Sequence, residues 1–148
     1  MYALIGLHVE HDSVKGPLSS DQISSIFGFH PSIHFVVLMT EDGTLLDSVK
    51  RAGLNPLFPA EETHKVLERW ANANGWLAGS NRILGGMNVI IVRREKLIEL
   101  LYPSHGFMIL IIAHPAFPLD KTAKLEGVLS KLKVGGDEWQ QPLSNSKQ

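Results

Sequence analysis

The chain contains no cysteine. Disulfide staples, thiolate nucleophiles and thiolate metal ligands are therefore excluded, and a reducing compartment is permitted. It has no excess of charge of either sign. A formal net charge of −1 over 148 residues leaves no basic footprint, so nucleic acid is not an expected partner. Long apolar runs are missing as well. The longest, residues 107–113, falls far short of the about 20 residues that a membrane-spanning helix needs. Residues 1–9 are apolar but have no basic flank and no small-residue cleavage site, so a signal peptide is not expected and the cytoplasm is the default location. No Gly-x-Ser-x-Gly elbow occurs. Gly85 and Gly86 precede a strand instead of joining a strand to a helix, which is the wrong context for cradling phosphate. The expectation is a non-enzyme with no cofactor.

What is present suffices for one self-sufficient core. A composition of 44% hydrophobic and 20% charged residues is that of a globular domain and not of a disordered chain. A chain of this length buries roughly 70% of its unfolded surface and needs no metal or disulfide to fold.

Residues 1–10 read as one possible strand, followed by a break at Gly16 and Pro17. Ser19 or Ser20 caps a short helix over residues 21–28 with Ile23, Ile26 and Phe27 on its apolar face, and Pro31 stops it. Residues 33–39 form a β-branched and aromatic run. Asp42-Gly43 and a return strand over residues 45–50 complete a hairpin, since Gly accepts the positive φ of a tight turn. The main helix starts near Pro59, with Glu61 and Glu62 in its first turn and a stripe of Val66, Trp70, Ala73 and Leu77. Asn74-Gly75 is expected to bend or end it.

Three strands follow over residues 87–93, 96–102 and 107–114, forming a meander. A last helix is capped by Asp120, buries Leu125, Val128, Leu129 and Leu132, and ends at Gly135-Gly136. The expected architecture is α/β (α+β): a five-stranded antiparallel sheet with a long helix on one face and flanking helices. Residues 1–16 form an N-terminal extension and candidate extra strand, 17–134 the domain, and 135–148 a mobile tail.

This order resembles the roadblock (dynein light chain) family and, more loosely, the profilin-like and PAS-like group. The hairpin from Phe35 to Leu46, the strand from Asn88 to Arg93 and the strand from Phe107 to Ala113 before Pro115 carry the resemblance, which spans residues 21–133. It implies a homodimer or heterodimer that scaffolds or regulates a small GTPase. The extra segment at residues 1–16 departs from the family and either adds or covers a sheet edge. A PAS-like ligand sensor is the alternative. It needs a cavity of about 300 Å³ or more between sheet and main helix, with Trp70, Met87, Phe107 and Met108 as candidate lining.

Phe107, Ile109 and Ile111 lie on one face of a strand whose other face is also apolar, so the strand is covered on both sides. A second subunit is the candidate second cover, which makes these residues interface candidates. Trp76, off the main stripe, is another. Arg93, Arg94 and Lys96 form a basic hairpin tip and a candidate docking point, set against the plainer reading of a solvated turn. Among the seven histidines, His8 and His11 flank Glu10. A metal site there would need ligands from elsewhere, such as His30 or His34, because on a strand His8 and Glu10 share a face that His11 does not. Otherwise His30, His34, His64 and His114 read as polar loop, helix-surface and strand-end residues.

Overall fold

The computed structural model describes residues 2–4, 7–11, 16–104, 106–134 and 137–138. The elements in chain order are β1 (Tyr2–Leu4), β2 (Leu7–His11), α1 (Ser20–Phe27), β3 (Ile33–Thr40), β4 (Leu45–Arg51), α2 (Ala60–Ala78), α3 (Asn81–Leu84), β5 (Ile90–Arg93), β6 (Ile98–Pro103) and β7 (Phe107–Ala113). A 3₁₀ turn (Leu119–Lys121), α4 (Thr122–Leu129), β8 (Lys133–Val134) and β9 (Asp137–Glu138) follow.

The main sheet has seven strands in the order β1-β2-β4-β3-β7-β6-β5, and every neighbouring pair is antiparallel. The two strands beyond the expected five come from the front of the chain. Residues 1–10 are not one strand: β1 pairs antiparallel with β2, and β2 pairs in turn along β4. Lys50 Nζ donates to Glu10 Oε1 at 3.0 Å and to the Leu54 carbonyl at 2.6 Å, pinning that pairing across the sheet. Gly16 passes against β4 so closely that a Cβ there would lie 2.2 Å from the Leu46 carbonyl oxygen, a space only glycine fits.

Strand β7 shows why the sheet has two cores. Phe107, Ile109, Ile111 and Ala113 pack with Ile23, Ile26 and Phe27 of α1 and Leu125 and Leu129 of α4. Met108, Leu110 and Ile112 pack on the other face with Leu67, Trp70 and Ala71 of α2. The second cover of this doubly apolar strand is therefore the chain's own α1 and α4, not another subunit. Phe107, Ile109 and Ile111 are 5%, 0% and 0% exposed and are core residues, which corrects their reading as interface candidates.

Local chemistry sets the boundaries. Ser19 caps α1 in a reciprocal box with Gln22. Gly43 takes φ 91° in the turn between β3 and β4. Helix α2 runs through Gly75 to Ala78, since one internal glycine costs only about 1 kcal/mol and packing outweighs it. Asp120 lies in the 3₁₀ turn instead of capping α4, whose N-cap is Lys121. Helix α4 closes at Ser130, not at Gly135-Gly136; Leu132 is buried beyond its end. Gly135, Gly136 and the expected mobile tail, apart from the backbone of residues 137–138, lie outside the described residues. No helix among the described residues is long and apolar enough to cross a membrane.

Candidate functional site

Helix α2 packs on β3, β6 and β7, and open space separates its flank from β5. Its buried face is Leu67, Trp70 and Ala71. That face is turned about 90° from the stripe centred on Val66, Ala73 and Leu77, given 3.6 residues per turn. The rotation leaves the stripe on the flank of the helix, where Val66 is half-buried, Ala73 is exposed and Leu77 is 38% exposed.

Opposite that flank stand Ile90 and Val92 of β5 and Leu97 at the start of β6, with Leu57 and Phe58 closing the end nearest the start of α2. Between these walls lies an open apolar groove of about 630 Å³. Burying a leucine-sized side chain is worth about 1.5–3 kcal/mol, so a groove lined this way favours an apolar occupant.

Three charged residues also line the groove: Arg69, Arg94 and Glu99. Glu99 is 4% exposed, and Trp70 Nε1–H donates to its Oε1 at 2.8 Å. Arg94 Nε donates to Oε2 of the same carboxylate, and this hydrogen bond holds the Arg94 guanidinium above its ordinary pKa. The buried carboxylate thus has both oxygens occupied, as a buried charge requires. The trio fixes the Trp70 ring in the groove wall and leaves Arg69 as the charge lining the groove that is not in this network.

Beyond the groove, large apolar side chains stand in solvent. Trp76 is 82% exposed, Ile83 87% and Leu84 81%, all within the stretch that ends α2 and forms α3. Ile91, on the other face of β5, is 39% exposed. Scattered apolar residues need no explanation, but three such side chains within nine residues concentrate exposed apolar surface in one stretch of chain. Strand β5 also pairs with β6 alone, so its outer edge is open among the described residues.

The other residues named from sequence separate into placed and displaced. Arg93, Arg94 and Lys96 do sit together at the tip between β5 and β6, but Arg94 is drawn into the Glu99 network, leaving Arg93 and Lys96 as the exposed cations outside it. Of the N-terminal trio, the Glu10 carboxylate is engaged by Lys50; that hydrogen bond, ahead of other causes, lowers its pKa. The side chains of His8 and His11 lie outside the described residues. Among the described residues no group of three or more His, Cys, Asp or Glu side chains is placed to hold a metal ion.

His30 Nδ1 lies 2.8 Å from Ser32 Oγ, and His114 Nδ1 accepts the Ala116 N–H at 2.9 Å. The His34 ring stands 6.2 Å from that of His114. Burial, then Arg51, then His114 push the His34 pKa down. Of the expected sensor lining, only Trp70 reaches the groove. Met108 and Phe107 are buried in the two cores, and Met87 is not part of the wall. Sequence reasoning passed over Glu99, Ile83 and Leu84. A lone acid in the apolar run Leu97-Ile98-Glu99-Leu100-Leu101, and two aliphatic residues bracketed by Arg82 and Gly85, were the available signals.

No family model matches the chain, and no curated protein matches it. Solved structures do. The gliding protein MglB from Thermus thermophilus is 14% identical with a TM-score of 0.55, over 72% of this chain and 79% of that one. A roadblock/LC7 domain from Streptomyces avermitilis is 13% identical with a TM-score of 0.53, over 72% and 89%. An MglB with a tetrameric arrangement is 14% identical with a TM-score of 0.57, over 77% and 85%. The chain therefore has the roadblock-like α/β fold.

Proposed function

We propose that this chain is a non-enzymatic regulatory module that works as a homodimer and engages or scaffolds a small GTPase in the cytoplasm. The observation that carries the dimer is the open apolar groove between α2 and β5, lined by the exposed Leu77 and bordered by a strand edge that is unpaired among the described residues. A second copy laying its own α2 flank there covers the stripe that the monomer leaves in water. The tetrameric arrangement of one MglB of the same fold supports self-association as the working state. The GTPase half of the reading rests on the roadblock resemblance. It is tested by titrating the dimer with small GTPases loaded with GDP or a non-hydrolysable GTP analogue. Nucleotide-dependent binding supports it, and no binding to either form removes it.

The groove's size favours one other reading. At about 630 Å³ it falls within the about 300–1,000 Å³ of small-ligand sites, and the Trp70–Glu99–Arg94 network supplies a polar anchor among apolar walls. Quenching of Trp70 fluorescence by an apolar ligand, in a protein that stays monomeric, would favour that sensor over the dimer.

A further inference from the structure

Resting on the small-ligand reading of the groove, we infer that its ligand is an amphiphilic monoanion, a carboxylate on an unbranched apolar chain, and that this ligand competes with the second copy for the space between α2 and β5. The two readings then describe one switch. Either a second copy or the ligand fills the groove, never both.

Charge selects the head group. Three charged side chains line the groove, and two of them neutralise each other. Glu99 is buried and takes the Arg94 Nε–H on one oxygen and the Trp70 Nε1–H on the other. Its charge is therefore already matched and does not call for a cationic ligand. Arg69 has no ion pair or hydrogen bond among the described residues. Its sequence neighbour Glu68 lines a different cleft, by the turn between β3 and β4. The groove thus carries one positive charge in excess. A guanidinium receives a carboxylate through two parallel N–H bonds, a geometry that a neutral head group cannot match.

The wall selects the tail. Arg69, Ala73 and Leu77 follow one another at four-residue steps, so a cation, a small side chain and an apolar end stand in one line on the flank of α2. Ile90, Val92 and Leu97 face that line. From Arg69 to Leu77 the helix rises about 12 Å, which suits an extended chain of about eight to ten carbons. Arg69 is exposed, so the head group keeps its water while the tail leaves it. The tail covers Ala73 and Leu77, the side chains that a second copy would cover. Linkage makes the competition reciprocal: the ligand weakens the dimer by the factor by which the dimer weakens the ligand.

The test titrates the full chain with octanoate and, separately, with octan-1-ol, the same tail without the charge, at about pH 7 where a carboxylate is ionised. Calorimetry is expected to give octanoate at least about fivefold the affinity of octan-1-ol, the scale of one exposed ion pair. Arg69→Gln should remove that preference and leave octan-1-ol within about twofold of its wild-type affinity. Ala73→Trp fills the gap in the line and should weaken both compounds at least about tenfold. Arg69 and Ala73 are both exposed, and an unchanged melting temperature checks that the variants fold. Light scattering of the wild type in saturating octanoate should show the mass falling towards that of one chain. Equal affinities for the two compounds, both lost in Ala73→Trp, would overturn the anion and leave the groove as a ligand site. Binding that ignores Ala73→Trp would put the ligand elsewhere and overturn the assignment. No binding of either compound would remove the ligand and the sensor reading together, while the dimer stands on its own mass. A dimer mass unmoved by saturating octanoate would overturn the competition.

Discussion

Glu99 combines burial with chemistry more tightly than any other residue of the groove. Its carboxylate holds the Trp70 indole and the Arg94 guanidinium from a strand whose neighbours are apolar. Glu99→Leu should cost about 1–3 kcal/mol in urea denaturation, because it strands the Trp70 N–H in a buried place. Glu99→Gln keeps an acceptor and should cost less. Arg94→Met leaves the buried Glu99 carboxylate without its cation and should cost at least as much as Glu99→Leu. His34 gives a pH signature. Its folded pKa lies below the ordinary 6.5, so at intermediate pH the unfolded chain binds a proton that the folded one refuses. Stability is therefore full above about 6.5 and falls as pH drops through the lowered folded value. His34→Asn should flatten that decline in denaturation midpoints measured from about pH 7.5 to about pH 5. Neither role was legible from sequence: a single charge in an apolar strand and a histidine beside a proline turn look like surface residues until the partner strands and helices are placed.

Helix α2 shows where periodicity stops informing. The spacing of Val66, Trp70, Ala73 and Leu77 correctly marks an apolar stripe, yet only Trp70 belongs to the face pressed on the sheet. A helix with two apolar surfaces, one for its own core and one for an occupant, has a blurred pattern, and sequence alone cannot say which surface is which. The elements held by local chemistry were legible nearly to the residue: the serine cap of α1, read as Ser19 or Ser20, and the Asp42-Gly43 turn. The two surfaces of α2 should separate by mutation. Leu67→Ala, at 2% exposure, should cost about 2–5 kcal/mol of stability. Leu77→Asp should change stability by no more than about 0.5 kcal/mol while abolishing self-association. Thermal denaturation and size exclusion on the same two variants check both halves.

At the scale of the molecule, the antiparallel sheet, its long helix and its meander were legible because each strand is a short apolar run bounded by turn chemistry. What was not legible is how the chain covers itself. The doubly apolar β7 suggested a second subunit, but α1 and α4 of the same chain bury that face. The surface left over lies elsewhere, on the flank of α2 and the edge of β5, a difference that only the packing of helices on the sheet decides. The N-terminal hairpin lies along β4, while the outer edge of β5 stays open among the described residues. Sheet extension and helix pairing thus point to the same side of the molecule. Light scattering after size exclusion, over a wide range of concentration, tests this most directly. A constant mass twice that of one chain is expected for the wild type and a monomer for Leu77→Asp; a wild-type monomer at every concentration would contradict the dimer.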